Sequence, residues 1–321
     1  MEVREHILHI TPSIGICIFP QDGADTDVLL RNADTAMYQS KAAGRNTFRF
    51  FTEKMNQEAD HHYRIESALR TGVRDNELRL LFQPLIDMRS NHIFGVEALV
   101  RWQSPILGLV MPGQFIGIAE ETDLIVEIDS WVFRQACAQA AQWRSQGFAD
   151  ITLAVNLSAR QFQRKDLLAF IAEVLQQTGY PAHLLELEIT ESSLMHNVTE
   201  VIQTLDQLVA LGVKLVIDDF GTGYSSLAYL KRFPVHKLKI DQSFVRDMGQ
   251  ADSDLGIIKT VIALAQTLHL DLLAEGVETL AHLTTLRALG CDRFQGYLFS
   301  KPVAAAQIEQ MLNVPATSLL R

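Results

Sequence analysis

The sequence has few of the residues that build disulfide or zinc frameworks. Its three cysteines, Cys17, Cys137 and Cys291, are odd in number, lie far apart and form no CxxC pair. Neither a disulfide framework nor a zinc knuckle is therefore indicated. No window approaches the roughly 18 to 20 uncharged apolar residues that a membrane-spanning helix needs, and the first residues do not form a secretory leader. We expect a soluble protein in a reducing, cytoplasmic setting, without membrane contact.

Basic residues are also in short supply. Lys and Arg total 28 against 38 Asp and Glu, which gives a formal net charge of −10. Nucleic-acid polymers and anionic membranes are bound through basic surface, so we expect neither as a partner. Apolar residues, by contrast, make up 48% of the 321 residues, which is enough for a sizeable core. The length fits one large α/β barrel with a short appendage.

The first part of the chain, residues 1–51, predicts only a fragment of a domain. Residues 13–19 are apolar and end before Pro20, which is typical of a buried strand. A helix is predicted over 26–44 and a second strand over 47–51. Two strands and one helix are too few for an independent core. An amphipathic connector helix is predicted over 52–74, ahead of the main domain at 75–315.

Strand and helix patterns alternate from residue 75 onward. Helical stretches separate most of the apolar, strand-like stretches, which lie at 78–82, 93–100, 151–155, 184–189, 213–217, 237–240, 270–273 and 292–294. This alternation predicts a largely parallel sheet, and eight such strands have the size of a (β/α)8 barrel of the TIM type. Only about ten residues separate the first two strands, too few for a crossover helix, so we expect that pair to be an antiparallel hairpin.

Polar side chains stand at or near the carboxyl ends of the predicted barrel strands. A single acidic residue there often only faces solvent or caps the next helix. Barrel active sites, however, are built from such residues on different strands, and here most strands carry one. We therefore expect these groups to converge at one mouth of the barrel. They are Glu97, Asn156, Glu188, Asp218, Asp219, Lys239, Glu275 and Gln295.

The chemistry of this set indicates a metal site. So many carboxylates in one mouth cannot all stay ionised without cations among them. Oxygen ligands without His or Cys favour Mg²⁺ or Mn²⁺ over Zn²⁺, and the adjacent pair Asp218 and Asp219 suits two ions bridged by one carboxylate. Arg101 and Lys239 are either surface cations or groups that hold a phosphate or polarise a water molecule. The residues alone indicate a metal-dependent hydrolase acting on a phosphate ester.

The polar residues belong to longer motifs. In chain order these are FQP from Phe82, EALVRW from Glu97, NLSARQF from Asn156, EITE from Glu188, DDFGTGYSS from Asp218, LKID from Leu238, AEGVE from Ala274 and QGYLFSKP from Gln295. With this series the chain resembles, over residues 75–312, the EAL domain. That is a family of cyclic di-GMP phosphodiesterases with a modified barrel and an antiparallel first strand pair. The resemblance implies hydrolysis of cyclic di-GMP to linear pGpG by in-line attack of a metal-activated water.

The N-terminal part has a resemblance of its own. SIGIC at 13–17, residues 29–38 and the GRN at 44–46 are similar to the closing part of a GGDEF (diguanylate cyclase) domain. The GG[DE]EF loop that serves nucleotide and metal chemistry in that family is absent from this sequence. We therefore expect no cyclase activity from this chain.

The EAL resemblance also implies roles for individual residues. One metal ion would be bound by Glu97, Asn156, Glu188 and Asp218. Asp218, or Asp219 with it, would reach a second ion. Glu275 would act as general base or as a ligand of the second ion, and Lys239 would hold the attacking water or a phosphate oxygen.

Further residues are implied to face the substrate or to shape the site. Those facing the substrate would be Gln83, Leu99, Arg101 and Gln295, with Arg101 on a phosphate. Glu191 would pin the loop that contains Phe220 and Gly221. Because this loop usually takes part in a dimer contact in the family, we expect a homodimer formed through the barrel.

Two other functions stay open at this stage. Relatives that have lost metal ligands bind cyclic di-GMP without cleaving it, so an inactive receptor module is the main alternative. No predicted ligand of this chain departs from the family pattern, which favours the enzyme. A two-metal nuclease acting on long nucleic acid conflicts with the acidic charge and with the absence of a basic or aromatic binding stripe.

Overall fold

A computed structural model describes residues 2–3, 6–7, 11–148, 151–195, 197–221, 227–248 and 252–320. The chain divides into two compact units, Met1–Thr71 and Gly72–Arg321. Among the described helices, none combines the length and the apolar character that crossing a lipid bilayer requires.

The first unit is a small α/β fragment. Its elements are β1 (Glu2–Val3), β2 (His6–Ile7), β3 (Ile14–Ile16), α1 (Thr26–Ala42), β4 (Phe48–Phe50) and the first part of α2 (Glu53–Arg74). Strands β3 and β4 pair in parallel, and α1 packs closely on β3. A Cβ atom on Gly15 would lie 1.9 Å from the Ala33 carbonyl oxygen, so this approach requires glycine.

The strand predicted over 13–19 is shorter than expected. Pairing ends at Ile16 because its neighbour β4 has only three residues, and the following Ile18 and Phe19 are 48% and 67% exposed. The apolar run therefore does not form one buried strand. The helix predicted over 26–44 is present as α1, and its first turn is capped by Asp25, whose side chain accepts a hydrogen bond from the Val28 N–H at 2.9 Å.

The second unit is a closed barrel of eight strands. They are β5 (Leu78–Asp87), β6 (His92–Ser104), β8 (Thr152–Asn156), β9 (Leu185–Thr190), β10 (Lys214–Phe220), β11 (Lys237–Ile240), β12 (Asp271–Ala274) and β13 (Arg293–Phe294). Around the barrel the order is β5, β13, β12, β11, β10, β9, β8, β6 and back to β5. A short strand that the sequence did not predict, β7 (Gly108–Val110), extends the sheet beside β6.

The eight predicted strands and the antiparallel first pair are confirmed. Strand β5 runs antiparallel to β6 and also to β13, while the pairs from β6 through β8 to β13 are parallel. The parallel strands are almost continuously buried because the barrel interior covers one face and helices cover the other.

The helices around the barrel bury apolar faces at helical spacing. In α6 the buried residues are Leu167, Phe170, Ile171 and Val174, at positions i, i+3, i+4 and i+7. The helices of this unit are α3 (Pro112–Glu121), α4 (Leu124–Ser145), α5 (Ala159–Phe162), α6 (Leu167–Thr178), α7 (Val198–Ala210), α8 (Leu227–Leu230), α9 (Gln242–Arg246), α10 (Asp252–Thr267), α11 (Leu280–Ala288) and α12 (Ala305–Met311).

The lower part of the barrel interior contains a buried ion pair. Lys237 Nζ of β11 lies 2.5 Å from Glu186 Oε2 of β9, and the two side chains are only 3% and 5% exposed. The same ammonium group lies 5.1 Å from the ring centroid of Phe94, which packs against Leu85 and the core. This pair lies below the layer that contains Glu188 and Lys239, which are two residues further along β9 and β11.

Removing one partner of the pair is expected to destabilise the barrel more than removing both. Glu186→Ala leaves the Lys237 ammonium buried and unpaired, which typically costs about 3–5 kcal/mol. The double variant Glu186→Leu/Lys237→Met should recover most of that loss. All three tryptophans, Trp102, Trp131 and Trp143, lie in the second unit, so denaturant unfolding followed by tryptophan fluorescence measures the difference. If Glu186→Ala is as stable as Glu186→Leu/Lys237→Met or more stable, the ion pair does not have this role.

Candidate active site

The centre of the candidate site is the ammonium group of Lys239, whose side chain is 1% exposed. Its Nζ lies 2.6 Å from Glu275 Oε1, 2.9 Å from Glu188 Oε2, 3.3 Å from Asp218 Oδ1 and 4.0 Å from Glu97 Oε2. One cation is therefore shared among four carboxyl groups. These contacts are ion pairs, and burial strengthens their attraction because the protein interior screens charge less than water does.

The strand ends bring these groups together. Parallel strands of a barrel end at the same mouth, and Glu97, Glu188, Asp218, Lys239 and Glu275 lie on, or directly after, five of them. Because side chains alternate along a strand, Glu188 shares an inward-facing row with Glu186, and Lys239 shares one with Lys237. The convergence that the sequence predicted for these residues is present in the structure.

The carboxyl groups nearest the mouth have raised pKa values. Burial raises the pKa of Glu275 to about 8, with repulsion from Asp218 adding to it although Lys239 opposes it. Burial and repulsion from Asp218 and Asp241 raise the pKa of Asp219 to about 6. Both groups therefore hold protons at a pH where an ordinary carboxyl group has lost its own.

The deeper groups differ from one another. Burial raises the pKa of Glu188 well above its usual value, and repulsion from Glu97 and Asp218 adds to this. Burial also opposes the charge on Glu97, but the Lys239 ammonium and hydrogen bonds from two amides outweigh it and lower the pKa of Glu97. Burial would lower the pKa of Lys239, yet the surrounding carboxylates raise it well above the usual value. Lys239 is therefore the permanent positive charge of the site.

Two side-chain amides hold the carboxylate of Glu97. The Asn156 Nδ2 donates to Glu97 Oε1 at 2.7 Å, and the Gln295 Nε2 donates to Glu97 Oε2 at 2.5 Å. Gln295 Nε2 also donates to Gln83 Oε1 at 3.0 Å. Gln83 lies directly opposite Glu97 across the β5–β6 pair. The predicted residues Asn156 and Gln295 thus meet at the Glu97 carboxylate, and Gln83 is connected to it through Gln295.

The chain turns sharply after Asp218. Asp219 has φ +53° and Gly221 has φ +99°, and the Asp219 N–H donates to Asp218 Oδ1 at 3.0 Å. Glu191 Oε2 accepts a hydrogen bond from the Gly221 N–H at 2.9 Å, and Phe220 is buried. Glu191 is therefore hydrogen-bonded to the first part of the loop that the resemblance implies it pins. The rest of the glycine-rich loop, 222–226, lies outside the described residues.

A cavity of about 250 Å³ opens above these groups. The predicted residues that line it are Gln83, Glu97, Leu99, Asp218, Glu275 and Gln295. Arg101 is 7% exposed and its guanidinium donates to the Val100 carbonyl at 2.7 Å, while burial lowers its pKa. Arg101 is absent from the residues that line the cavity.

Other lining residues were not singled out from the sequence. They are Gln242, Gly276, Glu278, Gly296 and Tyr297. Gln242 directly follows the motif LKID, and the other four lie within the motifs AEGVE and QGYLFSKP, so these motifs contained the signal. Gly296 has a clear steric reason, because a Cβ atom there would lie 2.1 Å from the Val277 carbonyl oxygen. Tyr297 is 47% exposed and presents its ring face to the Lys301 ammonium at 5.4 Å.

The residues at the mouth fit a divalent cation. One carboxylate oxygen each from Asp218, Asp219 and Glu275 lie within 4.8 Å of one another. The amide sense of Asn156, with its nitrogen on Glu97, leaves its carbonyl oxygen for another partner. These are hard oxygen donors of the kind that Mg²⁺ and Mn²⁺ prefer. The acidic cluster could therefore hold a metal ion.

Comparison with known proteins assigns the family. The model of the EAL domain matches residues 66–302, and that of the "Diguanylate cyclase, GGDEF domain" matches residues 1–47. The chain is 43% identical over 306 residues to "Cyclic di-GMP phosphodiesterase NbdA" of Pseudomonas aeruginosa, covering 95% of this chain and 39% of that protein. It is 39% identical over 298 residues to "Cyclic di-GMP phosphodiesterase PdeR" of Escherichia coli, covering 93% of this chain and 45% of that one.

Solved structures agree with this assignment. The structure described as "PaMucR Phosphodiesterase, c-di-GMP complex" superimposes with a TM-score of 0.74 at 42% identity, covering 76% of this chain and 99% of that chain. The chain belongs to the EAL-domain family and has a short GGDEF fragment at its N-terminal end. It spans less than half the length of the two curated relatives named above.

Metal affinity is expected to rise with pH. Asp219 and Glu275 belong to the cluster that could hold a cation and have pKa values of about 6 and about 8. A carboxyl group must lose its proton before its oxygen can bind a cation. Calorimetric titration of the metal-free protein with Mn²⁺ should therefore show roughly tenfold or greater tightening between about pH 6 and about pH 8. Glu127→Gln, a change at an exposed carboxylate, is the control. An affinity that does not change over this interval would show that neither group is a ligand.

Proposed function

We propose that the protein hydrolyses cyclic di-GMP to linear pGpG in a metal-dependent reaction at the barrel mouth. The observation that carries this proposal is the Lys239 ammonium among four carboxylates under a cavity at the strand ends. Membership of the EAL family and the names of the relatives supply the nucleotide. The domain that does this is the barrel, which we take as residues 75–315.

We assign the metal ligands as the resemblance to the EAL domain implies them. They are Glu97, Asn156, Glu188 and Asp218 for one ion, with Asp219 and Asp218 for a second. When bound by these residues, Mg²⁺ or Mn²⁺ would neutralise charge on the phosphoryl oxygens and lower the pKa of a water molecule. Buried carboxylates that surround one lysine support this assignment, since the acidic excess at the mouth leaves room for added positive charge.

Glu275 accepts the proton of the attacking water. Its pKa of about 8 lies near the working range of a general base, and its carboxylate lines the cavity. The water oxygen forms a bond to phosphorus as the bond from phosphorus to the 3′ oxygen breaks, and a proton returns to that oxygen. Lys239 holds Glu275 at 2.6 Å and stabilises negative charge on the phosphate.

The remaining assignments concern the surroundings of the site. Leu99 and Gln295 face the nucleotide from the cavity wall, and Arg101 binds a phosphate after its guanidinium turns from the Val100 carbonyl. Glu191 couples the turn at Phe220 and Gly221 to a homodimer contact. The cytoplasmic location and the homodimer stay predictions, and size-exclusion chromatography with light scattering tests the dimer.

Incubating the protein with cyclic di-GMP and Mg²⁺ or Mn²⁺ should produce pGpG, detected by chromatography. Glu275→Gln is expected to lower kcat by at least about 10²-fold, since it removes the proton acceptor, while nucleotide binding remains measurable by calorimetry. Glu127→Gln should keep wild-type turnover.

Near wild-type rates for Glu275→Gln would contradict its role as a base. Binding of cyclic di-GMP by the wild-type chain without product would instead identify a receptor module. Inhibition by single-stranded DNA or RNA would favour a nuclease.

A further inference from the structure

A chain of hydrogen bonds connects the barrel wall to the site. Gln83 Nε2 donates to the Ser300 carbonyl at 3.0 Å, and Gln83 Oε1 accepts from Gln295 Nε2 at 3.0 Å. Gln295 Nε2 also donates to Glu97 Oε2, and Glu97 Oε1 accepts from Asn156 Nδ2. Gln83, Gln295, Glu97 and Ser300 are all at most 7% exposed. We call this series the amide relay.

The backbone fixes the first member of the amide relay. Phe82 and Val303 exchange two backbone hydrogen bonds, of 2.7 and 2.9 Å, so the segment after Ser300 lies along β5 next to Gln83. The Ser300 N–H donates to the Gly296 carbonyl at 3.2 Å. The Ser300 carbonyl oxygen is thereby held in one place, and a carbonyl can only accept a hydrogen bond.

That fixed acceptor determines the sense of each amide in turn. Gln83 must point its nitrogen at Ser300, so its oxygen points at Gln295. Gln295 must then point its nitrogen at Gln83 and at the Glu97 carboxylate, because both are acceptors. With the amide in this sense, Gln295 Oε1 is buried and has no hydrogen-bond partner among the described residues. A buried acceptor left in this state is costly unless a ligand satisfies it.

We propose that Gln83 is a positioning residue: through the amide relay it sets the orientation of Gln295 and of the Glu97 carboxylate, and so leaves Gln295 Oε1 to accept a hydrogen bond from an O–H group, water or hydroxyl, bound at the site. This inference rests on the proposed function. It changes the part expected for Gln83, which the resemblance implied to be a substrate contact.

The test is Gln83→Met, which removes both hydrogen-bonding ends at similar length. Loss of a group that orients a metal ligand commonly costs tenfold to hundredfold in metal affinity or activity. We expect the dissociation constant for Mn²⁺, measured by calorimetry on the purified chain, to rise by about tenfold or more. The kcat for cyclic di-GMP should fall by a similar factor with KM within about twofold of the wild-type value. Gln103→Leu, on an exposed side chain of the same hairpin, should change neither.

Two outcomes with Gln83→Met would overturn the proposal. A raised KM with unchanged Mn²⁺ affinity would make Gln83 a substrate contact. A lower unfolding temperature with unchanged Mn²⁺ affinity and kcat would make it purely structural. Gln83→Glu keeps the acceptor for Gln295 and loses only the donor to Ser300, so its Mn²⁺ affinity and kcat should lie closer to the wild-type values than those of Gln83→Met; a loss as large as that of Gln83→Met would contradict the relay. If the wild-type chain does not hydrolyse the nucleotide, the proposed function fails, while the Mn²⁺ affinities still test the relay.

Discussion

The ion pairs of Lys239 are the interaction on which the rest of the site depends. Two like charges about 4 Å apart repel by about 4 kcal/mol in the partly screened surroundings of a protein. Four carboxyl groups lie within 4.0 Å of the Lys239 nitrogen, and without that ammonium they would have to take up protons or move apart. One fixed cation therefore holds the cluster in place and still leaves it acidic enough to accept more positive charge.

The residues below the cluster and those beside it have different roles. Below it, the pair of Glu186 and Lys237 repeats the same combination of charges two residues earlier on the same strands. Beside it, amides hold both carboxylate oxygens of Glu97, and the Lys239 ammonium together with these amides lowers the pKa of that group, whereas Glu275 at the mouth keeps a raised pKa. Separate pKa values in neighbouring carboxyl groups are what acid–base chemistry in one small cavity requires.

Much of the barrel was predictable because its strands are apolar runs at regular spacing, and polar residues at strand ends must meet once the strands close. Glu188, Asp218 and Lys239 were found in this way. Contacts that depend on side-chain direction were not predictable, such as the amide sense of Gln83 and Gln295 or the buried guanidinium of Arg101. The strand expected over 13–19 is paired only over Ile14–Ile16. An apolar run predicts that its residues are buried, but the number of residues that pair depends on the length of the neighbouring strand, and β4 has only three residues.

The most direct test of this account compares the metal-free wild-type chain with Lys239→Met in unfolding free energy across pH. The Lys239 ammonium opposes protonation of Glu97, Glu188 and Glu275. Without it the folded state binds more protons than the unfolded chain, and its stability falls as pH rises. The account predicts a loss that is larger at about pH 8 than at about pH 5, where protonation relieves the repulsion. The same loss at both pH values would contradict the claim that Lys239 holds the carboxylates together by charge.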